Sequence, residues 1–349
     1  MLAMTRVLIT GATSGLGLEL AKGFQAKGAS LVLIGRKPLE ELPPKLFGEH
    51  NYCQVDLAEE AAMDTVTEFL TARDITSLDV VIHSAGVGYY GNLKDQPTDN
   101  IKDLLRINLY APLALSQALL GHLKACYGRL VFISSIAASL PTPDYAVYSA
   151  SKAALDGLAR NIASECHDCI HVQVIHPGAT RTDMHRKSGV PEGQFDVSRF
   201  AAPAEVAGDI IQAIDEDRFD VTIGRTNRLI RFLGRYFGGV LETVMRWRIR
   251  SRARKQADHD DARASAQELS EQADAAGAST ASSPDQQGQD IASTHQVEHA
   301  KDASAEQASA EQTSTHTALS KQPHLEKATS EETSEDTPTH ETSTEKASS

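Results

Sequence analysis

Four polar side chains, Asn108, Ser135, Tyr148 and Lys152, have the types and spacing for acid–base chemistry on an oxygen. Tyr148 and Lys152 are four positions apart, which on a helix puts a phenol and an ammonium one turn apart on the same face. A free tyrosine, with a pKa of about 10, is a poor proton donor or base near neutrality. A cation beside it favours the phenolate and moves that pKa toward the working pH. Ser135 can then hydrogen-bond a carbonyl or alcohol oxygen while the phenol gives or takes the proton. That is the acid–base half of a ketone/alcohol interconversion.

A glycine-rich turn upstream, Thr10-Gly11-Ala12-Thr13-Ser14-Gly15-Leu16-Gly17, suggests the other half, a hydride from a dinucleotide. Gly11, Gly15 and Gly17 let the backbone turn tightly and approach a pyrophosphate at the N-terminus of the following helix. The bland alternative is an ordinary strand–helix turn, which the position right after the first strand disfavours. Chance alone predicts about 0.3 Tyr-x-x-x-Lys matches in such a chain, so the joint pattern is what carries weight. Asn108 precedes Ser135 by 27 positions, Ser135 precedes Tyr148 by 13, and Pro177-Gly178 follows another apolar strand. Over roughly residues 5 to 224 the chain closely resembles the short-chain dehydrogenase/reductase family.

The resemblance implies roles. Tyr148 would be the general acid/base, and Ser135 would hold the substrate oxygen. Lys152 would bind the nicotinamide ribose and depress the tyrosine pKa, and Asn108 would hold a water in the proton relay. Cofactor contacts would extend over Thr13, Ser14 and Leu16 of the turn, and Asp56 with Leu57 would lie at the adenine. Ala85-Gly86 fit a close backbone approach. Pro177-Gly178-Ala179-Thr180-Arg181-Thr182 resembles the loop over the nicotinamide, where Thr180 or Thr182 could bond the carboxamide. His83 departs from the family pattern and reads as a satisfied core group. Residues about 183 to 203 would form a substrate lid.

Cofactor choice hangs on the end of strand two, Ile34-Gly35-Arg36-Lys37. A carboxylate there would grip the ribose 2′-hydroxyl of NAD, but none is present. Arg36 offers forked donors and charge to a 2′-phosphate, which favours NADP(H). The alternative is a solvated basic turn.

These residues need a scaffold, and the pattern predicts an α/β one. Short apolar runs fall at 6–10, 30–34, 52–56, 79–83, 129–134, 170–175 and 219–223. Helical stretches alternate with them at 16–27, about 59–72, 99–126 and 145–166. The prediction is a doubly wound parallel sheet (Rossmann), a single domain over residues 1–224, with its ligand at the C-terminal strand ends.

Composition divides the rest. From Asp258 to Ser349 there is no aromatic residue, and 19 acidic against 5 basic side chains give a net of −14. The whole chain is at −13, so the acidity belongs to this tail. Rich in Ala, Ser, Thr, Glu and Gln, residues 256–349 lack the apolar surface to offset ordering entropy and read as a disordered acidic tail. The N-terminus leads straight into a strand with no signal-peptide pattern, and no apolar run approaches the ~20 residues of a bilayer span. Four cysteines in 349 residues argue for a reducing compartment. The expectation is a cytoplasmic protein and a homo-oligomer. Cys166-His167-Asp168-Cys169 lacks a second ligand pair and reads as two thiols near a helix end, with no metal.

Between them, residues 225–255 carry ten basic side chains and one acid, Glu242. Leu229, Leu233, Tyr236, Val240 and Val244 recur at helical spacing, widened by Ile230, Phe232, Phe237 and Leu241, with Trp247 among arginines. Such a basic amphipathic segment suits attachment to the inner face of a membrane. Gly234, Gly238 and Gly239 weaken the helix, and packing on a partner or over the cleft is the other reading. Nucleic acid is disfavoured, because the apolar face would have no purpose there. The functional expectation is an NADP(H)-dependent reductase of a hydrophobic or lipid-like small-molecule carbonyl. A nucleotide-binding scaffold presenting its acidic tail to a partner is the alternative.

Overall fold

The computed structural model describes residues 5–216, 218–247 and 250–251. All lie in one unit, Met1–Ala273; the second unit, Asp274–Ser349, and with it the expected disordered tail at 256–349, falls outside the described residues. The strands are β1 (Arg6–Thr10), β2 (Ser30–Gly35), β3 (Tyr52–Gln54), β4 (Val80–His83), β5 (Arg129–Ile133), β6 (His171–His176) and β7 (Asp220–Thr222). They form one parallel sheet in the order β3-β2-β1-β4-β5-β6-β7. The helices are α1 (Gly15–Ala26), α2 (Ala62–Thr71), α3 (Thr98–Leu105), α4 (Ala111–Lys124), α5 (Ala146–Glu165), α6 (Met184–Lys187), α7 (Pro203–Ile214) and α8 (Arg225–Tyr236). This is the doubly wound Rossmann-type α/β fold that the alternating runs predict.

Side chains on a strand alternate between faces, so one apolar run feeds two cores. Val7, Ile9, Leu33 and Ile82 pack with Leu20 and Phe24 of α1 and Ile210 of α7. Leu8, Val32, Val81 and Phe132 pack on the other face with Leu70, Leu119 and Leu155 of α2, α4 and α5. At about 1.5–3 kcal/mol for each fully buried large apolar side chain, these two layers supply the main driving force that holds the strand ends in place.

The order reverses between β1 and β4, which opens a crevice at their C-terminal ends. The two turns that line it touch. Gly11, at φ 68°, comes so close to Ala85 that a Cβ would lie 2.7 Å from the Ala85 Cα. A Cβ at Gly17 would run into the Gly11 carbonyl oxygen. Neither position accepts a side chain, which is why the turn is glycine-rich.

Two elements differ from the sequence reading. The stretch expected as one helix over 99–126 is broken by a π-helical turn, Arg106–Tyr110. The segment 203–214 is helix α7, begun by Pro203 in its first turn.

Candidate active site

The four polar residues converge from three elements. Asn108 lies in the π-turn between α3 and α4, fully buried, and such bulges concentrate at functional sites. Its Oδ1 accepts from Val87 N at 2.8 Å, and its Nδ2 donates to Val87 O at 2.9 Å and to Ser151 Oγ at 3.1 Å. Ser151 was not anticipated; it ties Asn108 to α5 by donating in turn to the Tyr148 carbonyl at 2.7 Å. Tyr148 and Lys152 rise from the first two turns of α5. Ser135 follows β5 and caps a short 3-10 turn, where its Oγ accepts from Ala137 N at 3.1 Å. It also hydrogen-bonds the Tyr148 phenol. Gly86 sits between the groups: a Cβ there would lie 3.5 Å from both Asn108 Oδ1 and Lys152 Nζ.

The electrostatics correct one expectation. Burial dominates Tyr148 and raises its pKa, with the Ser135 hydrogen bond pulling the other way. Lys152 Nζ stands 5.9 Å from the Tyr148 ring centroid and donates to the Ile133 carbonyl at 2.9 Å. Burial also pushes the Lys152 ammonium down to about 8, against the pull of Asp156. A phenol kept protonated is a proton donor, the role that carbonyl reduction needs. Lys152 loses its charge around pH 8, and with it the cation that would hold the nicotinamide ribose. The kcat/KM for reduction should therefore hold level up to about pH 8 and fall about tenfold per unit beyond. A profile still flat two units higher would show that reduction does not need the Lys152 charge.

The turn after β1 fits a dinucleotide phosphate. Ser14 precedes α1 with extended backbone, and its side chain makes no capping bond, leaving the first-turn amides available. Thr182 of the loop after β6 reaches this turn, its methyl carbon 3.3 Å from where a Gly15 Cβ would stand. Thr180 instead donates to the Gly178 carbonyl at 3.1 Å. The side chains of Leu16 and Leu57 are spent on packing, Leu57 inside the core and Leu16 against it. Pro177 holds the turn after Ser135 through its carbonyl, which accepts from Ile136 N.

At the end of β2, a Cβ on Gly35 would strike the Thr13 methyl, so the chain has no room for a carboxylate at that position. The next residue, Arg36, is exposed and paired with Asp56 at 3.3 Å. Asp56 also accepts from Ala58 N at 3.0 Å. Both stand at the rim where the adenosine end of a dinucleotide would lie.

His83 is a core group, as its strand-end position implies: buried, stacked on Phe132 at 5.1 Å, with Nε2 2.9 Å from Ser116 Oγ. Cys166 and Cys169 are free thiols just past the end of α5. Over Tyr148 stands a wall of rings. Tyr145 is 5.9 Å from Tyr148, Tyr90 is 5.4 Å from Tyr145, and Phe195 of the expected lid is 5.9 Å from Tyr90.

Behind the site lies a network absent from the sequence reading. Ser134 Oγ donates to Asp156 Oδ1 at 2.5 Å, and His176 Nδ1 donates to the Ser135 carbonyl at 3.2 Å. Arg231 of α8 grips Asp220 at 2.5 and 2.9 Å and comes within 3.9 Å of Asp156. Helix α8 thus braces the floor beneath Ser135.

A family model described as short chain dehydrogenase matches residues 5–192. The dehydrogenase/reductase SDR family member 7B of Danio rerio is 32% identical over 277 residues, covering 73% of this chain and 87% of that protein. Its Mus musculus counterpart is 35% identical over 234 residues, covering 62% and 72%. A solved short-chain dehydrogenase from Sphingobium yanoikuyae in complex with NADPH superposes with a TM-score of 0.58 at 24% identity, over 68% of this chain and 95% of that one.

Proposed function

The chain belongs to the short-chain dehydrogenase family, and on that premise we propose that it is an NADP(H)-dependent oxidoreductase that reduces a hydrophobic ketone to a secondary alcohol. The observation that carries the reading is the convergence at Gly86 and Ser135. Asn108 and Lys152 flank the glycine, and Tyr148 shares a hydrogen bond with Ser135 at the end of the sheet.

NADP(H), when bound, supplies the hydride. Gly11, Gly17 and the first turn of α1 would hold its pyrophosphate, Arg36 its 2′-phosphate and Lys152 the nicotinamide ribose. Ser135 orients the substrate carbonyl by donating to its oxygen. Tyr148 delivers the proton to that oxygen as negative charge develops on it. Asn108, fixed by Val87 and Ser151, holds the backbone beside this path in place. The ring wall of Tyr145, Tyr90 and Phe195 offers apolar contact, which supports a hydrophobic substrate. A nucleotide-binding scaffold finds no support in a site with all four groups in place.

The test is a ketone panel followed by NADPH absorbance and repeated with NADH. Turnover of apolar ketones with NADPH is expected, and a preference for NADH would overturn the cofactor assignment. Arg36→Leu should raise the Michaelis constant for NADPH about tenfold or more, the worth of a charge-assisted phosphate contact, and leave that for NADH unchanged.

A further inference from the structure

We infer that α8 and the helical residues 238–247 dock the protein on an anionic lipid surface. A helix on a soluble domain turns its apolar stripe to the core; α8 does the reverse. The residues that meet the fold are Asn227, Arg231 and Gly234, with Arg228 and Arg235 reaching it from the sides. Asn227 packs against Gly178, Arg231 is buried on Asp220, and Gly234 approaches the Ser139 carbonyl so closely that no Cβ fits. The side chains left outside are Leu229 at 60% exposure, Phe232 at 52% and Tyr236 at 66%. After a break at Phe237 the apolar series continues through Val240, Val244 and Trp247, the last 67% exposed.

The two-pronged Arg231–Asp220 pair and the Gly234 contact fix the roll of the helix. The apolar face therefore cannot turn inward without breaking both.

Charge selects the occupant. Arg225, Arg228, Arg235, Arg246 and Arg250 are exposed on this segment, and residues 225–255 hold ten basic side chains and one acid. Arg228 also donates to the Thr222 carbonyl, Arg235 stands 3.7 Å from Asp220 and Arg246 3.4 Å from Glu242. A second copy docking by the same face would set arginine rim against arginine rim, with like-charge repulsion uncompensated. An anionic bilayer supplies both needs. Its surface attracts basic residues at about 1 kcal/mol each, and its interface accepts Leu, Phe and Trp side chains. Among the described residues no helix is long and apolar enough to cross a membrane, so the contact is with the surface. Because α8 packs on the 3-10 turn that follows Ser135, docking would bring the catalytic edge near the lipid.

The test uses the full chain with phosphatidylcholine vesicles made with and without phosphatidylserine. Its readout is cosedimentation, independent of turnover. The protein should sediment with the anionic vesicles at low salt, be partly released as salt rises, and ignore the neutral ones. The triple variant Phe232→Ser/Tyr236→Ser/Val240→Ser alters only exposed side chains and should lower the bound fraction about tenfold or more while NADPH binding persists. No sedimentation of the parent at low salt, or binding unchanged in the triple variant, overturns the proposal. Self-association that the triple variant abolishes, without vesicle binding, would assign the face to a subunit interface instead.

Discussion

Tyr148→Phe should bind NADPH as the parent does and reduce ketones at least about a hundredfold more slowly, the usual share of a positioned general acid. Only the hydroxyl is removed. The ring keeps its edge contact with Tyr145, and Ser135 keeps its hydrogen bond from Ala137 N, so the pocket retains its shape. The loss should appear in kcat with the Michaelis constant little changed, because the missing interaction matures only as the substrate oxygen gains charge. Nucleotide fluorescence reports binding and NADPH absorbance reports turnover. A variant that binds and turns over near the parent rate would refute Tyr148 as the proton donor. One that fails to bind NADPH would show that the phenol serves cofactor binding instead.

The tetrad could be read before the fold because its members are separated by regular elements whose lengths the apolar runs dictate. Once β5 ends at Ile133 and α5 begins at Ala146, Ser135 and Tyr148 have to meet at the same sheet edge. The π-turn at Asn108 left no such trace. An i→i+5 bond has no period of its own within a longer helical pattern, so 99–126 read as continuous. The direction of the Tyr148 shift was also hidden. The Tyr–Lys spacing predicts a cation's influence, but the burial that raises the pKa is set by packing, Tyr145 included, that the spacing does not show. The amphipathicity of α8 was plain in the sequence, whereas its orientation was not. A helical wheel divides apolar from polar and says nothing about which half meets the fold. In the sequence Arg231 is one of the ten basic side chains of residues 225–255. Its partners Asp156, Asp220 and Thr222 come from two distant segments that share no motif.

Arg231 carries the second large effect. Arg231→Leu should lower the unfolding free energy by about 3 kcal/mol, the low end of the range for breaking a buried ion pair. The low end applies because Asp220 keeps some solvent contact and Arg235 stands 3.7 Å from it as a substitute partner. Asp156 has less relief. Burial already holds its pKa up at about 6, and Arg231 is one of the few groups that lower it. Arg235→Leu removes a half-exposed charge at the same carboxylate and should cost under about 1 kcal/mol. Arg231→Leu/Asp220→Leu should recover part of the loss, since an apolar pair strands one carboxylate fewer. Urea unfolding of the three variants ranks them. Equal midpoints for Arg231→Leu and Arg235→Leu would mean that α8 is held by shape rather than by charge. If the predicted order is found, the brace is electrostatic, and it ends at Ser134 and the Ser135 carbonyl. The helix that turns its apolar side outward would then be clamped to the floor of the active site by its polar side.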